Sequence, residues 1–260
     1  MPRYFIEVSY KGTRYSGFQV QQNAVTIQSE VEKALQTFFR KSFLLTYSSR
    51  TDAGVHALQN FFHFDIEEEL WNPANYSSED GENFKRLTYS LNSILPYDIV
   101  LHNITRVKDD LHARFNATSR EYKYRIYQKK NPFYKDTAFY YPYNIDLKNL
   151  QQAADIILDT NDFTSFSKRN TQVKNFFCSI YKSKWNIEED LIVYNITGNR
   201  FLRGMVRGVV ATMLQVGRGK ISLHQLAGII QAKDCTKANF SVPPQGLFLV
   251  EVVFPEFLVN

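Results

Sequence analysis

The tightest constraint on the fold is a hydrophobic period that switches between two residues and helical spacing, and back, from Arg3 to Val107. Arg3 to Tyr10 alternates. Tyr4, Ile6, Val8 and Tyr10 lie on one side and Arg3, Glu7 and Ser9 on the other, a half-buried strand with Phe5 as its exception. A polar loop from Lys11 to Asn23 follows. Thr26 then reads as a helix N-cap, and Ile27, Val31, Ala34, Leu35, Phe38 and Phe39 recur at helical spacing. Phe43 to Tyr47 reads as the next strand, joined through the turn RTDAG to a strand around Phe61. A helix is expected from Glu82 to Ile94, closed by Leu95-Pro96, and a strand from Ile99 to Val107. The order β, α, β, β, α, β is that of a ferredoxin-like unit, with two helices on one face of an antiparallel sheet.

The second part repeats the mixture. Ala117 to Tyr127 alternates, with Tyr122, Tyr124 and Ile126 opposite Glu121, Lys123 and Arg125. Asp146 to Leu158 is helical in pattern, and Asn161-Asp162 opens a turn with Phe163 and Phe166 as anchors. Strands are expected at Phe177–Ile187 and Leu191–Thr197, helices at Phe201–Val216 and Leu223–Gln231, and a last strand at Leu247–Phe254. Gly217 and Gly219 end the longer helix. The chain is therefore expected to be α+β, in two halves of 1–107 and 108–260. The motif similarity between the halves is too weak to be a sequence repeat.

Composition excludes several function classes. No apolar run reaches the roughly eighteen residues that would cross a membrane, and the N-terminus lacks the basic-then-apolar pattern of a secretory signal. Cys178 and Cys235 are the two cysteines, and the five histidines form no HxxxH or HExxH pair, so no metal is expected. A reducing cytoplasm is the expected compartment. Charge is segregated. Arg106 to Lys135 holds nine Lys or Arg against three acids, and Arg200 to Lys220 five against none. Asp65 to Glu82 holds seven acids and no base. That pattern fits either a positive face for a polyanion or solvated basic loops.

Chemistry concentrates in Ser48 to Ala57, SSRTDAGVHA, which gathers a carboxylate, a guanidinium, an imidazole and hydroxyls around Gly54. Gly54 permits a tight turn that aims Asp52 into a cleft; alternatively Asp52 is a turn residue with Arg50 as its surface partner. Arg207 is flanked by Val206, Gly208, Val209 and Val210. In apolar surroundings it needs an acid, and Asp52 is a candidate, unless the guanidinium snorkels out to water. Such a pair would keep the acid ionised, as a nucleophilic carboxylate must be. Tyr122, between Arg120 and Lys123, is either a core residue or a platform for a flipped base. Lys123, Arg125, Lys129 and Arg203 are candidates for phosphate contacts.

These residues carry a resemblance. SSRTDAGVHA with Gln59-Asn60-Phe61-Phe62-His63-Phe64 resembles the signature of the TruA-type tRNA pseudouridine synthases. EVSYKGTRYSGFQVQQN, TIQSEVEKAL, LHARFNATSREYKYRIY, NDFTSFS, FLRGMVRGVVATMLQVGRGK and PPQGLFLVEVVFP follow in the family's order, so the resemblance spans almost the whole chain. Ser49 stands where many members have Gly, and Phe18 where many have Trp. The acidic stretch after Asp65 is longer than expected for the family.

The resemblance implies a pseudouridine synthase fold: two ferredoxin-like halves sharing an extended, mainly antiparallel sheet with a central RNA-binding cleft. It implies conversion of uridine to pseudouridine at positions 38, 39 and 40 of the tRNA anticodon stem-loop, by a homodimer, without cofactor or metal. By motif, Asp52 is the catalytic aspartate, Tyr122 packs on the target base and Arg207 pairs with the aspartate. Arg50 helps extrude the nucleotide, while His56 and Gln59 join the substrate-binding group with Lys123, Arg125 and Arg203. Two rival readings stand beside it: a non-catalytic tRNA-binding or RNA-chaperone protein of the same fold, and a hydrolase using Asp52 with His56.

Overall fold

The computed structural model describes residues 1–67, 81–169 and 173–255. Most of the acidic stretch expected as an excursion over 65–82 lies outside the described residues. Two compact units make up the chain: Met1–Thr118 with Leu249–Asn260, and Ser119–Phe248. The first division thus falls at Thr118 rather than at 107, and the end of the last strand belongs with the first unit.

In the first unit the chain runs β1 (Arg3–Tyr10), α1 (Ile27–Phe39), β2 (Thr46–Tyr47), β3 (His56–Asp65), α2 (Gly81–Ile94) and β4 (Ile99–Val107). β1 pairs antiparallel with both β3 and β4, and the short β2 pairs with β3. The order β4-β1-β3-β2 is the ferredoxin-like one expected from the sequence. Thr26 caps α1: its side chain accepts from the Ser29 amide, and Ser29 answers to the Thr26 backbone. Ile27, Val31, Ala34, Leu35 and Phe39 form the helix's buried stripe.

Tyr4, Ile6 and Val8 of β1 are fully buried. Phe5, the exception to alternation, is buried too, in a separate cluster with Val107, Leu111 and Ala113 against which Phe61 and Phe254 pack. Arg3 closes that side: its guanidinium makes two bonds to the Asp65 carboxylate, at 2.7 and 2.8 Å, and a third to the Leu111 carbonyl.

The second unit holds β5 (Ser119–Tyr127), β6 (Phe139–Tyr140), α3 (Leu147–Leu158), β7 (Ile180–Glu188), β8 (Leu191–Gly198), α4 (Met205–Gly217) and α5 (Leu223–Gln231). β8 lies between β5 and β7, antiparallel to both, with β6 parallel beside β5. β9 (Leu247–Val253) carries the chain back into the first unit. Asp146 caps α3 through bonds from the Lys148 and Asn149 amides. The hydroxyl of Ser183 on β7 bonds the Ala154 carbonyl of α3 at 2.8 Å. Every residue of α4 except Arg207 and Gln215 is buried, the pattern of a helix packed on all sides. Among the described residues no helix is long and apolar enough to cross a membrane.

Candidate active site

The acid loop is built from its backbone outward. The Val55 amide donates to the Asp52 carbonyl at 3.1 Å, which closes a turn over Asp52-Ala53-Gly54-Val55. Gly54 has φ +78°, the left-handed value that a type II turn requires at its third position. Directly behind the turn the preceding loop presses in at Gly12, where a Cβ would lie 1.9 Å from the Val55 carbonyl oxygen. Only glycine fits there. The same Gly12 amide donates to Nδ1 of His56 at 3.0 Å, and His56 is 1% exposed. His56 is thus held inside the loop's support.

A buried polar network holds the strand leading into the turn. Asn60, fully buried on β3, donates from Nδ2 to the Ser49 carbonyl (3.0 Å) and to the Tyr10 hydroxyl (3.2 Å). Its Oδ1 accepts from the Ser48 hydroxyl at 2.7 Å and from the Phe61 amide at 2.9 Å. The Tyr10 and Thr51 hydroxyls bond each other at 2.8 Å. Phe18 donates its amide to the Thr51 carbonyl, while its ring stacks on Phe62 at 4.8 Å and meets Tyr47 edge-on. Three hydroxyls, one amide and one aromatic plug thus fix the residues on either side of Arg50. Asp52 itself is half-buried. Arg50 is exposed; its Nε donates to the Tyr47 hydroxyl and its guanidinium lies 5.0 Å from that ring's centroid.

Gln59 is committed on both ends. It donates to the Glu7 carboxylate at 2.8 Å and accepts from the Val252 amide at 3.0 Å. His63, four residues further along β3, accepts from the Ala113 amide at 3.1 Å. Burial, and then the Arg3 charge, push the His63 pKa down to about 4, so the ring is neutral near pH 7.

In the second unit, the buried Tyr122 packs edge-on against Phe201, with ring centroids 5.0 Å apart. Lys123, on the opposite face of β5, is paired with Glu188 at 2.9 Å, and the Arg125 guanidinium lies 4.2 Å from the Phe248 centroid. Arg203 is exposed just before α4, in a turn that ends at Gly204 with φ +74°. Arg207 stands in the first turn of α4, half-buried, and its Nε and Nη2 both donate to the Val242 carbonyl, at 3.0 and 2.7 Å. A charged side chain inside an otherwise apolar helix is a costly choice unless its donors are used.

The structure therefore gathers Arg50, Asp52, His56 and Gln59 on one loop and strand of the first unit. Tyr122, Lys123 and Arg125 lie on β5 of the second, with Arg203 and Arg207 at the start of α4. Sequence reasoning assigned no role in the site to Tyr10, Ser48 or Asn60. The available signal was Asn60 itself, an amide amid the apolar residues of β3.

The fold is that of the pseudouridine synthases, a class of isomerases. A family model described as tRNA pseudouridine synthase matches residues 153–255. A protein of Parabacteroides distasonis named tRNA pseudouridine synthase A is 42% identical over 258 residues, covering 99% of this chain and 98% of its own. Its namesake in Bacteroides fragilis is 42% identical over 255 residues, covering 98% and 97%. A third, in Staphylococcus aureus, is 33% identical over 256 residues, covering 98% and 91%. The chain belongs to the tRNA pseudouridine synthase A family.

Proposed function

We infer that the protein isomerises uridine to pseudouridine at positions 38, 39 and 40 of the tRNA anticodon stem-loop, with Asp52 as the nucleophile. The observation that carries this reading is the turn under Asp52: a half-buried acid on a hydrogen-bonded backbone turn whose preceding residue, Thr51, is fixed by the buried Tyr10 hydroxyl before any substrate arrives. Preorganisation of that kind lowers the cost of reaching the reacting geometry. The reaction is redox-neutral. The bond from the pyrimidine N1 to the sugar C1′ breaks, a bond from C5 to C1′ forms, C5 loses a proton and N1 gains one. Asp52 attacks either the pyrimidine ring or the anomeric carbon.

In this reading Arg207 is the partner of Asp52 in the reaction, and Tyr122 packs on the flipped base. Arg50 holds the displaced nucleotide, and Lys123, Lys129, Arg125 and Arg203 contact phosphates. A target inside a stem must leave its stack to be reached. The enzyme acts in the cytoplasm as a homodimer whose cleft borrows surface from both copies.

The test is tritium release from tRNA labelled at uridine C5. Wild type is expected to release tritium and Asp52→Asn to release none; release by both removes Asp52 from the mechanism. Arg207→Ala is expected to lose activity as well, and a fully active, fully stable variant refutes the pairing.

A further inference from the structure

A cavity of about 430 Å³ opens within the first unit, beside the loop that carries Asp52. Its wall includes Tyr47, the ring on which Arg50 lies, so it adjoins the catalytic turn. It falls in the size range of small-ligand pockets, yet nothing in the reading above uses it.

Three features define its chemistry. The first is apolar surface left open to solvent: Leu44 is 85% exposed and Phe115 74%, and both line the cavity. The second is positive charge. The Arg114 guanidinium lies 5.6 Å from the Phe115 centroid, and Arg50 stands on the Tyr47 side. The third is a fixed acceptor. Glu32 lines the cavity half-buried, and its Oε1 accepts from the Gln28 side chain at 2.7 Å and from the Leu45 amide at 3.3 Å. Among the described residues nothing donates to its Oε2.

We propose that this cavity is a second nucleotide subsite, which takes an unstacked base of the same tRNA near the target uridine. The proposal rests on the reading that Asp52 acts on tRNA. The base stacks on Phe115, an N–H of its pairing edge donates to Glu32 Oε2, and Arg114 and Arg50 hold the flanking phosphates. An open ring, a cation beside it and a rigid acceptor are the elements by which single-stranded nucleotides are held. A protein segment would use the apolar surface but leave the paired cations and the acceptor without a role. Glu32 repels phosphate, which sets the orientation: base toward the carboxylate, backbone toward the arginines.

The test is equilibrium binding of a fluorescently labelled, unmodified tRNA transcript to wild type, Phe115→Ala, Phe115→Tyr and Arg114→Gln, with sedimentation to follow oligomeric state. Phe115 is exposed, so its removal leaves the core intact. Phe115→Ala is expected to weaken binding about tenfold, and Phe115→Tyr to restore it, because stacking needs only a ring. Arg114→Gln is expected to lower the slope of log affinity against log salt by about 1. Unchanged affinity and slope overturn the subsite. So does a loss of affinity that follows a change in mass, which would make this surface a protein interface. Tritium release is scored separately. Binding losses in a protein that releases no tritium would count against the isomerase reading and leave the RNA subsite standing.

Discussion

Replacing Asn60 with Ala tests the claim that the acid loop is preorganised by a buried network. Asn60 is fully buried and its amide makes four hydrogen bonds. Removal takes the donor from the Ser49 carbonyl and the acceptor from the Ser48 hydroxyl, both in buried residues. The Tyr10 hydroxyl loses one partner but keeps Thr51 at 2.8 Å, so its loss is smaller. A buried polar group stripped of its partner costs about 1–3 kcal/mol, so the Ser49 carbonyl together with the weakened Ser48, Tyr10 and Phe61 groups comes to about 3–5 kcal/mol. That is a large part of the roughly 5–15 kcal/mol that holds a typical domain folded. Urea unfolding followed by circular dichroism measures it, with Leu58→Ala, at a 48% exposed position of the same strand, as the control. The control is expected to stay within about 0.5 kcal/mol. Below the unfolding midpoint, kcat on tRNA is expected to fall about a hundredfold, the scale of a catalytic group displaced by about 1 Å. A destabilisation under about 1 kcal/mol, or an unchanged kcat, would mean that the network neither supports the loop nor aims Asp52.

Ser49 offers the opposite sign. Its side-chain oxygen is buried without a hydrogen-bond partner among the described residues, so Ser49→Ala is expected to raise stability by about 1 kcal/mol in the same urea assay. The pH dependence follows from His63. Its folded pKa of about 4 lies below its ordinary 6.5, so above pH 6.5 both states are neutral and nothing is lost. As the pH falls from 6.5 to 4 the unfolded chain takes up a proton that the folded chain refuses, and stability declines by at most about 3 kcal/mol. His112, shifted in the same direction by burial and Arg3, adds to the decline. His63→Asn is expected to flatten the curve of stability against pH in that window, and an equally steep curve would contradict the burial of a neutral ring.

The outline of the fold was legible wherever burial and hydrogen bonding ask for the same residues. β1 and β4 match their expected bounds end to end, Arg3–Tyr10 and Ile99–Val107, because apolar side chains meet the core while the backbone pairs. Where the two demands separate, the reading slips. Phe43 was expected to begin a strand, but only Thr46 and Tyr47 pair with β3; Phe43 is apolar because its ring packs against Phe39 and Phe64. Phe201 and Leu202 were expected to begin α4, yet they precede it: Phe201 meets Tyr122, Leu202 is buried, and the left-handed Gly204 stands before the first helical residue. β3 starts at His56, ahead of the apolar run around Phe61, because Gln59 and Asn60 are strand residues whose amides face partners rather than water.

The candidate site divides along the same line. The turn under Asp52 could be read locally, since Gly54 lies two residues away and the turn closes within four residues. Arg207 could be read too, as a charge flanked by Val206, Gly208, Val209 and Val210. The network beneath Asp52 could not, because it joins Tyr10 to Thr51 and Asn60 across 41 and 50 residues of chain, and periodicity has no term for such pairings. A polar residue that breaks an apolar strand either weakens the fold or is matched by a partner distant in sequence. Asn60 is matched at every position of its amide. Chemistry that needs a carboxylate held still therefore places its least legible residues in the support behind the acid, not in the motif that displays it.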